Sequence, residues 1–246
     1  MKVFESPEVY VIGRSVPDLE AVRRYLSARG LSWEAQGSPV EKLIEFAGRV
    51  CYRSFRPEAS KTRPTPAYIA NLLAQGHESV LEHAVFTLLI AGVSRALTHE
   101  LVRHRHLSFS QESQRYVVPD GWVVPPGLLP ALLTDFAGAV EAAFATYRRL
   151  ASPYLERPRP ERKRGLEAAR GLLPNAAATT LVVTGNLRAW RHFVRLRATP
   201  EADAEIRRLA VKVFELLSAE APYCWQDMEL YTAGDGRPAV RIKSAK

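Results

Sequence analysis

Apolar residues recur along this chain at spacings that change from one segment to the next, and the changes mark out the expected elements. Residues 8–13 read as a short strand leaving a polar start. Leu19, Val22 and Leu26 then fall at helical spacing within Pro17–Gly30, and Gly30 is placed to stop that helix. Over residues 40–53 a second helix would carry Leu43, Phe46 and Val50 on one side. Arg53–Pro66 is basic and proline-bearing and reads as a loop. Thr65 is expected to cap a helix through Ala74, with Pro66 at its first position and Gly76 at its end. Residues 84–92 are apolar and β-favouring and read as a buried strand ended by Gly92. Ser94 opens a helix bearing Ala96, Leu97, Leu101 and Val102, which runs into Arg103. The prolines within 118–127 predict a loop, followed by a long helix over Leu128–Leu150 and a break at Pro153–Pro160. Helices are expected over 161–172, 187–197 and 201–219, the one at 187–197 burying Leu187, Trp190 and Val194. The tail after Ala233 has no apolar periodicity and reads as a short basic extension. Neither a repeat nor a linker divides the chain. The pattern predicts one domain, 1–246, of α+β class, with helices packed on a small, mostly antiparallel sheet.

Composition narrows the setting. The chain has 246 residues, 47% hydrophobic and 24% charged, enough to bury a sizeable core. No apolar run approaches the roughly 18 residues that span a bilayer. Acids and a proline stand near the N-terminus where a secretory leader needs an apolar stretch, so a cytoplasmic protein without membrane contact is expected. Cys51 and Cys224 lie far apart and suggest reduced structural thiols, not a disulfide framework or a zinc site. A net charge of +8 favours anionic partners, among them nucleotides, phosphates, nucleic acid and anionic lipid. Scarce Asn, Met and Cys beside abundant Arg fit either heat adaptation or a GC-rich genome.

One segment breaks every core-facing period: Arg103-His104-Arg105-His106-Leu107-Ser108-Phe109-Ser110-Gln111-Glu112-Ser113-Gln114-Arg115-Tyr116. Leu107 and Phe109 are its aliphatic and phenyl side chains. Its guanidiniums, imidazoles, serine hydroxyls and amides can bind phosphates bidentately and hydrogen-bond to bases or ring systems. A solvated basic helix end followed by a polar loop has the same composition.

The spacing of Arg103-His104-Arg105, Ser113 and Arg115-Tyr116 resembles the signature of the flavin-dependent thymidylate synthases. Gly76-His77-Glu78-Ser79-Val80-Leu81-Glu82-His83 is similar to a second segment of that family. A third is carried by Ala169-Arg170-Gly171-Leu172-Leu173-Pro174, by Asn186-Leu187-Arg188, by His192 and by Leu196-Arg197. The resemblance covers roughly residues 40–225. Departures stand at Ser110-Gln111, where many members have Asn-Glu, at His192, where some have Asn, and at Glu100, where some have Gln.

The resemblance implies a homotetramer with active sites shared between subunits. It implies transfer of the methylene of 5,10-methylenetetrahydrofolate to dUMP, with hydride from reduced FAD and NADPH as reductant. No cysteine nucleophile is implied. His77, Ser79, Arg103, His104, Arg105, Gln111, Asn186, Arg188 and His192 would then face FAD. Glu100, Arg103, Gln111, Ser113, Gln114, Arg115, Arg170 and Arg197 would bind dUMP, Arg197 sitting beside the uracil as the catalytic residue. Its pKa is too high for acid–base work, so its role would be electrostatic. No metal is implied. No GxGxxG follows the first strand, so no Rossmann site is expected. Two rivals are a basic nucleic-acid-binding module, which lacks a helix-turn-helix, zinc or RNP-type pattern, and a metal hydrolase, which lacks HExxH.

Overall fold

The computed structural model describes residues 1–55 and 63–243. Residues 56–62 of the loop expected at Arg53–Pro66, and the last three residues of the tail, lie outside the described residues. The elements run β1 (Lys2–Phe4), β2 (Glu8–Arg14), α1 (Leu19–Ser27), α2 (Pro39–Tyr52), α3 (Thr65–Ala74), β3 (Val85–Ser94), α4 (Arg95–Leu101), β4 (Leu107–Gln111) and β5 (Gly121–Val123). They continue with α5 (Leu133–Leu155), α6 (Arg159–Ala169), β6 (Ala178–Asn186), α7 (Leu187–Arg197), α8 (Ala204–Glu220), β7 (Met228–Thr232) and β8 (Pro238–Ile242).

The main sheet has the order β2-β3-β6-β4 and is antiparallel throughout. Short pairs stand beside it: β1 with β5, parallel, and the hairpin β7–β8. Helices on an antiparallel sheet are the expected α+β class. Alternate residues of β3, Phe86, Leu88 and Ile90, are wholly buried, and so are Leu181 and Val183 of β6 to within a percent. Onto them pack Leu187, Trp190, Phe193 and Val194 of α7 and Ile206, Leu209, Val213 and Leu217 of α8. Each of these helices carries its apolar residues three or four positions apart, which is what holds it against the sheet.

Two strand-to-helix seams place the site. Ser94 closes β3 and caps α4, its hydroxyl accepting from Leu97 N at 3.0 Å. Asn186 closes β6 and caps α7, its side-chain oxygen accepting from Ala189 N at 2.9 Å. Both residues are extended, so pleat passes into helix with no loop between. At Ser94 the buried Glu205 adds a second tie, one oxygen accepting from the backbone N at 2.8 Å and the other from the hydroxyl at 2.6 Å.

Several elements differ from the sequence reading. The central strand β6 falls in a stretch for which no element is expected. Leu107–Gln111 pairs with Leu181–Gly185, so the polar block does contain a strand. The loop at 118–127 holds β5. The long helix starts five residues late and takes Pro153 into its last turn, the chain breaking instead before Pro158. The tail after Ala233 folds back as β8, because Ala239 and Val240 find the core. Gly92 does not end β3. It sits at a register break with φ of 66°, where a Cβ would meet the Phe4 ring at 2.8 Å, and the strand continues to Ser94. Thr65 is the first helical residue of α3 and makes no cap; its hydroxyl accepts from Gln36 N at 2.8 Å instead. In α2 the buried face is Val40, Ile44 and Gly48, with Glu45 and Arg49 paired beside it at 2.7 Å, and Val50 is exposed.

Candidate active site

Antiparallel pairing decides which polar residues can meet. Val85 pairs with Asn186 and Leu107 with Gly185, so β3 starts, β4 starts and β6 ends at one edge of the sheet. Three segments therefore converge there: the turn at Glu78–His83 that precedes β3, residues 103–106 that precede β4, and α7 that follows β6. We refer to this as the near end. At the far end β4 runs out at Gln111, β3 at Ser94 and β6 begins at Ala178. The five residues of β4, at ~3.3 Å each, separate the two ends by about 15 Å.

The near end carries two adjoining cavities that share His106, Ala189 and His192 as walls. One, of about 450 Å³, is completed by Glu78, Glu82, Asn186, Arg188 and Arg195. The other, of about 300 Å³, is completed by Arg103, His104, Arg105, Leu107, Leu196 and Arg197. Arg188 pairs with Glu82 at 2.5 Å, and Arg195 grips Glu78 with both terminal nitrogens at 3.3 and 3.4 Å. Arg197 donates from Nη1 to Glu100 at 2.9 Å and from Nε to His104 Nε2 at 3.1 Å. A donor on that atom requires a neutral imidazole with its proton on Nδ1. Burial, then the Arg197 guanidinium and His192, hold the His104 pKa down to about 4, which agrees with the neutral ring. The ring lies edge-on to Phe193 at 5.1 Å and to His192 at 6.3 Å. Burial and Arg195 likewise lower His192. His77 sits before the turn, its Nδ1 3.1 Å from Tyr52 Oη and the two rings stacked. Ser79 is exposed in the turn itself.

The far end holds the remaining expected residues. Ser113, Gln114 and Arg115 follow β4, and Arg115 Nε reaches Glu167 at 3.1 Å. Arg170 opens a short 3-10 turn ahead of β6. Gln111 turns inward, its amide donating to Thr98 at 3.2 Å and Thr179 at 3.4 Å. The expected dUMP residues are thus split within one chain: Glu100, Arg103 and Arg197 stand at the near end, while Gln111, Ser113, Gln114, Arg115 and Arg170 stand at the far end. Of the expected FAD residues, Arg103, His104, Arg105, Asn186, Arg188 and His192 line the two cavities, His77 and Ser79 belong to the segment before β3 and line neither, and Gln111 stands at the far end. Asn186 spends its side-chain oxygen on the α7 cap, leaving its amide nitrogen as the donor for a ligand.

Three residues escape the sequence reading. His106 lines both near-end cavities, although it lies within the polar block. Arg195 shares a helix face with Arg188 and His192, a signal visible in the spacing but equally that of a solvated face. Arg95 gives no signal at all, since it follows Ser94 outside every motif. Burial, and after it the Arg170 guanidinium, lower its pKa, so two cations crowd the far end.

The donor set fits a flavin dinucleotide. Guanidiniums at Arg103, Arg105 and Arg188 can neutralise a pyrophosphate, and neutral imidazoles can meet ring carbonyls. Comparison with known proteins covers the same part of the chain. Residues 36–223 match the family model described as thymidylate synthase complementing protein. The chain is 46% identical over 224 residues to the flavin-dependent thymidylate synthase of Mycobacterium avium (strain 104), covering 86% of this chain and 89% of the relative. It is 44% identical over 229 residues to the protein of that name from Mycobacterium marinum (strain ATCC BAA-535 / M), covering 89% and 91%.

Proposed function

The chain belongs to the flavin-dependent thymidylate synthase family, and on that premise we propose how its residues divide the work. The reaction is the reductive methylation of dUMP to dTMP, with 5,10-methylenetetrahydrofolate as carbon donor and FAD as the redox cofactor. Reduced FAD supplies the hydride, and NADPH is the reductant we assign to the flavin.

The near end holds FAD. Arg103, Arg105 and Arg188 take its phosphates, His104 and His192 border the ring system with Asn186, and His77 and Ser79 close the rim. Arg197 faces the uracil from the same end. Held by Glu100 and His104, its guanidinium is aimed before the base arrives and stabilises negative charge as it builds on the ring. The far end holds the 5′-phosphate, through Arg115 and Arg170, with Ser113 and Gln114 donating and Arg95 adding a third cation. Cys224 is wholly buried and burial pushes its thiol up, and Cys51, exposed on α2, lines neither cavity, so neither is assigned as a nucleophile.

The observation that carries this reading is the separation of the two ends. Within one chain the residues assigned to the base and those assigned to its phosphate fall at opposite ends of β4, about 15 Å apart. With the shared-site homotetramer that the family resemblance implies, one dUMP would lie between the near end of one subunit and the far end of another. A cytoplasmic setting follows from the reaction's soluble substrates. The test is subunit mixing. At dUMP well below the KM of the Arg115→Ala protein, Arg197→Ala and Arg115→Ala proteins should each turn over little, and hybrids formed by subunit exchange should regain dTMP formation. No recovery in hybrids seen by native mass spectrometry sinks the shared-site reading. For the cofactor assignment, purified protein should show flavin absorbance that NADPH bleaches without air; a protein that takes up no FAD overturns it.

A further inference from the structure

We propose that the C-terminal hairpin β7–β8 is a positioning element for Arg197, and that Val240 and Arg207 are the residues through which it acts. The inference rests on the role given to Arg197 above and assigns a purpose to residues beyond 223, where the family match ends.

Helix α7 is tied to this hairpin at two points. Arg191, 1% exposed, sends Nη1 and Nη2 to the two oxygens of Asp227, the residue before β7, at 2.9 and 2.6 Å. Arg191 also donates to the carbonyl of Cys224. Seven residues on, the carbonyl of Ala198 accepts from Val240 N of β8 at 2.8 Å. Ala198 is the cap of α7 and follows Arg197 directly. The open end of the hairpin is closed by Lys243 N donating to Asp227 O at 2.8 Å, so both ties belong to one unit.

The hairpin is itself clamped. Arg207 of α8 is buried, and its guanidinium holds Asp235 at 2.7 and 3.2 Å, Pro238 O at 2.9 Å and Arg237 O at 2.9 Å. That fixes the turn between β7 and β8 against α8. Ala239, wholly buried, and Val240, 5% exposed, seat the strand in the core.

The geometry gives this bracing a consequence. Two ties seven residues apart lie nearly two turns apart on one side of α7, which opposes both tilt and rotation of the helix. Side-chain tips stand about 5–6 Å from a helix axis, so a rotation of about 10° moves one by about 1 Å. An error of that size can cost catalysis on the order of a hundred-fold when the displaced group must meet a developing charge. Arg197 must meet Glu100, His104 and a base together, and it sits one residue from the second tie.

The experiment is a double-mutant cycle. Val240→Pro removes the single donor that Ala198 O accepts, at a strand edge where proline is tolerated. Turnover is measured per bound flavin, on protein whose far-ultraviolet circular dichroism matches the parent. We expect kcat to fall about ten-fold with KM for dUMP and FAD occupancy little changed, and the same change to cost less than about two-fold when Arg197→Lys is already present. An equal factor in both backgrounds, or no loss in Val240→Pro alone, overturns the inference. If Val240→Pro does not fold, Asp235→Ala, which loosens the Arg207 clamp from its exposed side, is put through the same cycle and judged by the same non-additivity. Full turnover in Arg197→Lys alone is a separate failure, that of the electrostatic role of Arg197 itself.

Discussion

The two ends of the main sheet are built from the same residue type to opposite effect. At the near end each arginine of α7 that faces the cavities has a carboxylate: Arg188 with Glu82, Arg195 with Glu78, Arg197 with Glu100. Their positions are set before any ligand arrives. At the far end Arg95 and Arg170 repel one another, and among the described residues the one carboxylate contact of that group is Arg115 with Glu167. A matched cation is a positioned tool; an unmatched group of cations is a seat for an anion, whose phosphate relieves their repulsion. The difference separates the chemistry of the uracil from the binding of its phosphate.

Four measurements bear on that contrast. The largest effect is expected from Arg197→Ala: a loss of about 10²–10³ in kcat with flavin retained, as when one oxyanion donor is removed. Near-wild-type turnover would take Arg197 out of the mechanism. Arg115→Ala should do the reverse, raising KM for dUMP by roughly ten- to a hundred-fold, the range of a hydrogen bond to a charged group, while kcat at saturation holds. A fall in kcat with KM unmoved would erase the distinction between the ends. Arg103→Ala should weaken FAD about ten-fold by the same reckoning, read by titrating the apoprotein and following flavin absorbance; unchanged affinity removes it from the cofactor site.

The smallest effect concerns pH. His104 is held near 4 against an ordinary 6.5, so between those values the unfolded chain binds more protons than the folded one. Stability from the neutral ring is complete above about 6.5 and is lost as pH falls toward 4. Thermal midpoints measured across that window should decline less steeply in His104→Asn than in the parent, and parallel curves would mean that the ring is not held neutral by its surroundings.

Some of this was legible in the sequence and some was not, for particular reasons. Helix α7 was readable to its last residue, since Leu187, Trp190 and Val194 keep helical period and Asn186 is a good cap. The strand β6 was not, because its alternation lies in burial and not in residue type: Leu181 and Val183 are buried while Val182 between them is half-buried, and Gly185-Asn186 ends it like a turn. In the tail Ala239, Val240 and Ile242 are the apolar residues of β8, too few among Pro238, Arg241 and Lys243 to show a period. The motif residues could be named from the family resemblance, but their division between two ends could not, since that follows from strand pairing. Nor could spacing tell Arg191 from Arg195. Both stand on α7, yet one is sealed in the core with Asp227 and the other lines a cavity.

The seam at Asn186–Leu187 has a bearing on how this chain can change over generations. Where a strand becomes a helix with no loop between, the facing of every helical residue is set by the pleat before it. One inserted residue would turn α7 by about 100° relative to the sheet, carrying Arg188, His192 and Arg197 away from the cavities together and bringing the Trp190 face out of the core. The stretch from β6 through α7 can therefore drift in composition but not in length, and natural variation in the number of residues has to be absorbed elsewhere.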